Sequence, residues 1–207
     1  ISYSINDHNN NEEYNNNIHK DNEDDYNEKE WPIVRRVIHS TADFDFARNN
    51  SIIFHKDAIE KGITAIRNGC SIVVDVNGVI GLLNKQNPKD FGNKLVCKIS
   101  DPEIMELAKK ENMTRSQVSM RAAKSDIEGG IVVIGNAPTA LLEVIQMVKE
   151  EVVKPALIIG IPVGFICASE SKEELSRLEQ IPFITNIGRK GGSSSAAAII
   201  NALYKIA

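Results

Sequence analysis

Residues 131–150 read IVVIGNAPTALLEVIQMVKE, and this stretch decides the fold. Ile131 to Ile134 are four apolar β-branched residues in a row, a strand with no polar face. Such a strand belongs in a parallel sheet covered by helices on both sides. Small residues turn the chain after Ile134, and a helix follows over Pro138 to Glu150.

The same alternation extends in both directions. Upstream, Ser71 to Val76 is a β-branched run followed by a short helix, Asn77 to Asn84, and a loop, Asn87 to Asn93. Leu95 to Ile99 is the next strand, and the helices Asp101 to Asn112 and Thr114 to Ser125 start on the N-caps Asp101 and Thr114. Downstream, Ala156 to Ile161 is a strand whose helix, capped by Ser169 or Ser171, runs through Leu178. Phe183 to Ile187 is a strand leading through GRKGGSSS to a last helix, Ala196 to Lys205. Five such strands imply a three-layer, doubly wound, mostly parallel five-stranded α/β sheet of the flavodoxin-like kind. One domain over residues 1–207 is expected.

Ahead of the sheet, Ile1 to Asp7 alternates weakly and reads as an edge strand or arm. His8 to Glu30 is rich in Asn, Asp and Glu, too polar to offset its ordering entropy by burial, so a solvated, loop-like insertion is expected. His8 and His19 among its acids offer only a loose metal site. Order returns at Glu30. Trp31, Val34, Val37 and Ile38 recur at helical spacing behind Pro32, and the helix ends at His39. Phe44 and Phe46 flank Asp45 and anchor the following turn in the core. Asp57 to Asn68 is a helix with Ala58, Ile59, Ile63 and Ile66 as its apolar stripe, stopped by Gly69.

Composition narrows the function classes. A net charge of -4 over 207 residues gives no electrostatic case for nucleic acid, so an anionic ligand must be held by local groups. Cys70, Cys97 and Cys167 lie in apolar segments without paired spacing and read as buried reduced thiols of a cytoplasmic protein, neither a disulfide framework nor a zinc site. The longest apolar run, Ala156 to Ala168, is too short and too broken by Gly160, Pro162 and Gly164 to span a membrane. No charged and apolar leader is visible, so no export signal is expected.

In doubly wound sheets ligands bind beyond the carboxyl ends of the strands. Here those segments are Asp75 to Gly78, Gly135 to Thr139, Gly160 to Gly164 and Gly188 to Ser193. Arg189, Lys190 and the amides of Gly191 to Ser193 form the best anion site. His39 is set in RRVIHSTADFDFAR, residues 35–48. It alone of the four histidines has apolar residues on one flank and a small polar turn on the other. An imidazole holds and releases a proton near neutrality, and helix-end carbonyls or a carboxylate such as Asp43 or Asp45 favour its charged form. His39 therefore suits a general acid. The plainer reading is a helix-end histidine bonded to backbone carbonyls. No nucleotide P-loop, dinucleotide fingerprint or G-x-S-x-G elbow occurs. A hydrolase using Ser193, Ser194 or Ser195 with His39 and Asp43 is a third reading, although serines opening a helix usually serve as caps.

Several long blocks resemble one family. RRVIHSTADFDFA (35–47), GNAPTAL (135–141), GIPVGFICASESKEEL (160–175) and GRKGGSSSAAAIINAL (188–203) are similar to the precorrin-8X methylmutases, the cobalt-precorrin-8 methylmutases of corrin biosynthesis. Val74 to Leu83 and Thr114 to Ser116 match as well, and the resemblance runs from about Trp31 to the end. Ile1 to Asp7 resembles the family's opening strand, and residues 8–30 depart from the pattern. The resemblance implies an isomerase that moves a methyl group from C11 to C12 of a tetrapyrrole by a 1,5-sigmatropic shift, with no cofactor and with His39 as the acid. It implies a cytoplasmic homodimer whose pocket is completed across the interface. Arg35, Arg36, Arg115, Arg189 and Lys190 are then the cations for the substrate's carboxylates. Ser40 and Thr41 orient His39 or bond a substrate oxygen, while Asn136, Pro138 and Thr139 shape the pocket floor. Nothing in the sequence separates a cobalt-containing from a metal-free substrate. The alternative is a carrier that binds a corrinoid without turnover.

Overall fold

The structure is a computed structural model and describes residues 26–49 and 51–207. The expected arm at Ile1 to Asp7, residues 8–25 of the polar insertion and the pairing of His8 with His19 lie outside the described residues. From Tyr26 onward the insertion is built into the fold. Tyr26 is buried, donates its hydroxyl to the Phe46 carbonyl at 3.1 Å and accepts from the Ile52 amide at 2.9 Å. One tyrosine among polar and acidic neighbours thus does what the average of the segment argues against.

The five expected strands form a parallel set. In chain order the sheet consists of β1 (Ile52–Phe54), β2 (Ser71–Val74), β3 (Lys94–Val96), β4 (Ile131–Ile134), β5 (Leu157–Gly160) and β6 (Phe183–Asn186). Their spatial order is β1-β6-β5-β4-β2-β3, the doubly wound order with the winding reversed between β2 and β4. Val73 pairs with Val132, and Val132 with Ile158, so the central registers place like residues side by side. Strand β1 corrects the expected count to six. It runs antiparallel to β6, with Ile52 opposite Asn186. Three apolar residues between Asn50 and His55 carry too short a signal to read as a strand.

Alternation along β4 divides the core. Ile131 and Val133 point into a layer built with α1 (Trp31–Thr41), α2 (Ala58–Arg67) and the C-terminal helix, whereas Val132 and Ile134 point into the opposite layer. Beyond β2 come α3 (Asn77–Leu82) and α4 (Gln86–Asp90), the latter in a stretch expected to be loop. Helix α5 (Pro102–Glu111) follows Asp101, and α6 (Arg115–Ala122) opens on a capping box between Thr114 and Gln117. The expected continuation to Ser125 is a separate turn, α7 (Lys124–Ile127). The opposite layer is completed by α8 (Pro138–Lys149) and α9 (Ala168–Ser176), and α10 (Ser193–Ile206) closes the chain. Helix α9 starts behind Cys167, in a left-handed conformation at φ 59°, so Ser169 and Ser171 lie inside the helix and do not cap it.

One buried carboxylate fixes the point where the winding reverses. Asp75, fully buried after β2, accepts the amides of Gly135, Asn136 and Ala137 at 2.9, 2.8 and 2.7 Å. Burial pushes its carboxyl up from the ordinary range, against the three amides, which pull it down. Gly135 is required by the same packing, because a Cβ there would sit 2.9 Å from Ser193 Cα at the start of α10. Asp75→Ala strands three buried amides, and urea unfolding should show a loss of about 2–4 kcal/mol. Unchanged stability would mean that the amides find other partners.

Candidate functional site

Helix α1 continues two residues beyond its expected end, to Thr41, and Ala42 terminates it in the left-handed region. His39 is therefore one position inside the last turn, and it is exposed. Its ring makes no hydrogen bond or ion pair with the described residues, unlike the plainer reading of a helix-end histidine bonded to carbonyls. The two neighbouring hydroxyls are committed to the backbone. Ser40 Oγ donates to the Ser194 carbonyl at 3.2 Å, pinning α1 to the start of α10. Thr41 Oγ1 donates to the Val37 carbonyl and accepts from the Asp43 amide. Asp43 in turn accepts from the Asp45 amide and opens a 3-10 turn, Phe44–Ala47. Phe46 enters the core as expected. The tight turn leaves Phe44 58% exposed, where an extended alternation was expected to bury both.

The carboxylates expected beside His39 face elsewhere. Lys190 Nζ lies 2.7 Å from Asp43 and 2.5 Å from Asp45, bridging the turn after α1 to the turn after β6. The Lys190 hydrogen bond and charge hold the Asp45 carboxyl below its usual range, and the two carboxylates raise Lys190 above its own. Lys190, expected as a cation for substrate, is paired within the chain.

A groove of about 700 Å³ runs along α1 and α10 past His39. Its walls carry Arg35, Arg36 and Lys205, none of which has an ion-pair partner among the described residues, with Asn84, Asn87 and Asn201. Asn201 builds the wall by accepting from the Asn84 amide and donating to the Leu82 carbonyl. A smaller hollow of about 130 Å³ joins His39 to Arg36, Ser40 and Ser194. Ser194 and His39 share that hollow without a hydrogen bond. Ser195 is fully buried, with its hydroxyl unpaired.

The remaining expected residues fall into two groups away from this groove. Arg189 stands over the Phe165 ring, 6.0 Å from its centroid, and Val163, Ile166 and Ile187 in the same two loops are exposed apolar side chains. Arg115 is exposed at the start of α6 and lines a separate groove of about 860 Å³ with Met105, Lys109 and Asn112. Thr139 is tied to that end, its hydroxyl 3.2 Å from Thr114 Oγ1. Asn136 is exposed, and its side chain makes no hydrogen bond with the described residues. The groove at His39 is lined by none of Arg115, Asn136, Thr139, Arg189 and Lys190. Sequence reasoning passed over Lys205, Asn84, Asn87 and Asn201, because a polar residue on a helix or turn looks solvated until a second helix supplies the opposite wall.

A doubly wound α/β sheet carries, among the described residues, an unbonded histidine in a groove of unpaired cations, and this defines the class, a protein with a site for a small anionic molecule. The model of the precorrin-8X methylmutase family matches residues 12–206. The chain is similar to the cobalt-precorrin-8 methylmutase of Priestia megaterium, at 52% identity over 88% of this chain and 80% of that one. It is 49% identical to the enzyme of that name from Methanocaldococcus jannaschii, over 88% and 82%. A crystal structure of a precorrin-8X methylmutase from Thermus thermophilus superposes with a TM-score of 0.82 at 35% identity, covering 95% of this chain and 94% of the other. The chain belongs to the precorrin-8X methylmutase family, and is accordingly an isomerase that relocates a methyl group within one molecule.

The cysteines differ from the expectation of three buried thiols. Cys70 and Cys97 are half-buried, and Cys167 is exposed at the strained start of α9. Burial pushes the Cys70 thiol up to about 11, and Cys97 upward as well. At pH 8 only about one Cys70 in a thousand is then the reactive thiolate. A disulfide reagent at that pH should label one thiol rapidly, and Cys167→Ser should abolish the fast phase. Equal rates at all three cysteines would contradict this arrangement.

Proposed function

We propose that this enzyme moves a methyl group from C11 to C12 of a precorrin-8 tetrapyrrole in cobalamin biosynthesis, with His39 as the general acid. The observation that carries the reading is an exposed imidazole in a groove of cations, all of them without hydrogen-bond or ion-pair partners among the described residues. A 1,5-shift breaks one carbon–carbon bond and makes another within a single molecule, so no electrons enter or leave. A proton lent by His39 to the ring nitrogen beside the migration site drains electron density from the shifting system and returns once the methyl has moved. A positioned acid contributes about 100- to 10,000-fold, or roughly 3–5 kcal/mol. Holding the flexible macrocycle in a reactive shape supplies further acceleration.

The substrate's acetate and propionate groups suit the unpaired Arg35, Arg36 and Lys205 beside His39. They equally suit Arg189 and, through exchange with Asp43 and Asp45, Lys190. Arg115 and Thr139 lie on a different groove, and Asn136 is exposed near the end of β4. We infer a cytoplasmic homodimer in which the partner chain brings its Arg115 group to the His39 groove. His39 and Arg115 line different grooves of one chain, which supports this, and so do the exposed apolar residues Val163, Phe165, Ile166 and Ile187. Among the described residues no helix is long and apolar enough to cross a membrane.

His39→Ala should slow conversion at least about 100-fold while corrinoid binding persists, followed by the visible spectrum of the product. Unchanged conversion removes His39 from the mechanism, and binding without conversion by the wild type identifies a carrier. Assays with cobalt-containing and metal-free substrate decide which is used. The relatives named cobalt-precorrin-8 methylmutase favour the former.

The shared site has its own test. His39→Ala and Arg115→Ala chains, each inactive alone, should regain activity when mixed and reassorted, because half of the sites in a mixed dimer carry neither change. Up to about a quarter of all sites recover after random exchange. No recovery places Arg115 on the same chain as the His39 it serves.

A further inference from the structure

Lys172, on α9, is only 2% exposed, and none of the ion pairs among the described residues includes it. Among the described residues its ammonium is held by neutral oxygens alone, donating to Asn186 Oδ1 at 3.1 Å and to the Lys190 carbonyl at 2.7 Å. Burial lowers it from the ordinary lysine value to about 8. Filling the space does not call for a charge, since methionine has nearly the same length and none of the desolvation cost.

What the ammonium reaches explains its place. The turn after β6 contains Gly188, Gly191 and Gly192, all at positive φ, so its backbone has little preference of its own for a single shape. Asn186, also 2% exposed, donates to the Ile187 and Lys190 carbonyls at 3.1 and 2.9 Å. Two buried donors thus converge on the Lys190 carbonyl. On the other side of that residue the side chain leaves for Asp43 and Asp45, at the end of the His39 helix.

We propose that Lys172 is a positioning residue: its ammonium sets the shape of the turn from Ile187 to Gly192. Through the Lys190 pairs with Asp43 and Asp45 it holds the end of α1, and with it His39, in register with the start of α10. The part concerning His39 rests on the function proposed above. The part concerning the turn stands without it.

Hydrogen exchange and kinetics on the full chain test both parts. Lys172→Met should accelerate exchange by about tenfold or more in residues 187–192 and 42–46 while β2 and β4 stay protected. It should lower kcat on the order of ten- to a hundredfold, as a displaced reacting group does. Combined with Lys190→Met, the loss should fall well short of the product of the two single losses, because both changes break one chain of contacts. Unchanged exchange in 187–192, acceleration spread evenly over the sheet, or losses that multiply would each overturn the proposal. Should Lys172→Met fail to fold, Asn186→Ala keeps the ammonium and should loosen the same two segments to a smaller degree. Unaltered exchange in those segments overturns the proposal in that case too. A wild type without methyl migration sinks the functional reading alone, since the exchange measurement still decides what Lys172 does to the turn.

Discussion

The carboxylate of Asp75 takes three consecutive amides, those of Gly135, Asn136 and Ala137, at the point where the sheet's winding reverses. Strands β2 and β4 diverge there, and without a common acceptor their following loops would be free to separate. With it, the β4 loop lies close enough to α10 that Gly135 touches the Ser193 backbone. Helix α10 can then serve as the floor against which α1 is laid. The position of the helix that carries His39 is thus set by hydrogen bonds to a group on the far side of its supporting helix.

A second clasp acts on the other side of the same floor. Ser40 ties α1 to the Ser194 carbonyl, and Lys190 ties the turn after α1 to the turn after β6. These contacts use polar groups that a reading of the binding chemistry would assign to substrate. Among the described residues, their use within the chain leaves Arg35, Arg36 and Lys205 as the unpaired cations at the groove. A groove of positive side chains thus interrupts the surface of a protein whose net charge is -4.

The parallel strands were legible because apolar β-branched runs carry their own signal, and residues 131–150 contain a whole strand–turn–helix unit. Strand β1 was not, since its pairing with β6 depends on a partner more than a hundred residues away. His39 stood out by its flanks, yet the direction of Asp43 and Asp45 could not be read. Lys190 is 145 positions from Asp45, and only the folded chain brings them together. Lys172 was the least visible, because SKEEL has the composition of a solvated helix face. Burial of its lysine follows from how α9 sits on β6, a tertiary fact with no local sign. Tyr26 was hidden in the same way by its polar neighbours.

Strand β1 closes the edge of the sheet beside β6, and Ile187 donates its amide to the Ser51 carbonyl just beyond the ladder. The helix that carries His39 is consequently moored on α10, and β1 on the strand that feeds the Arg189 and Lys190 turn. The histidine and the cationic turn cannot drift apart independently. Separating the two would strain the ladder of β1 on β6, so an antiparallel strand of three residues serves as the seam between them.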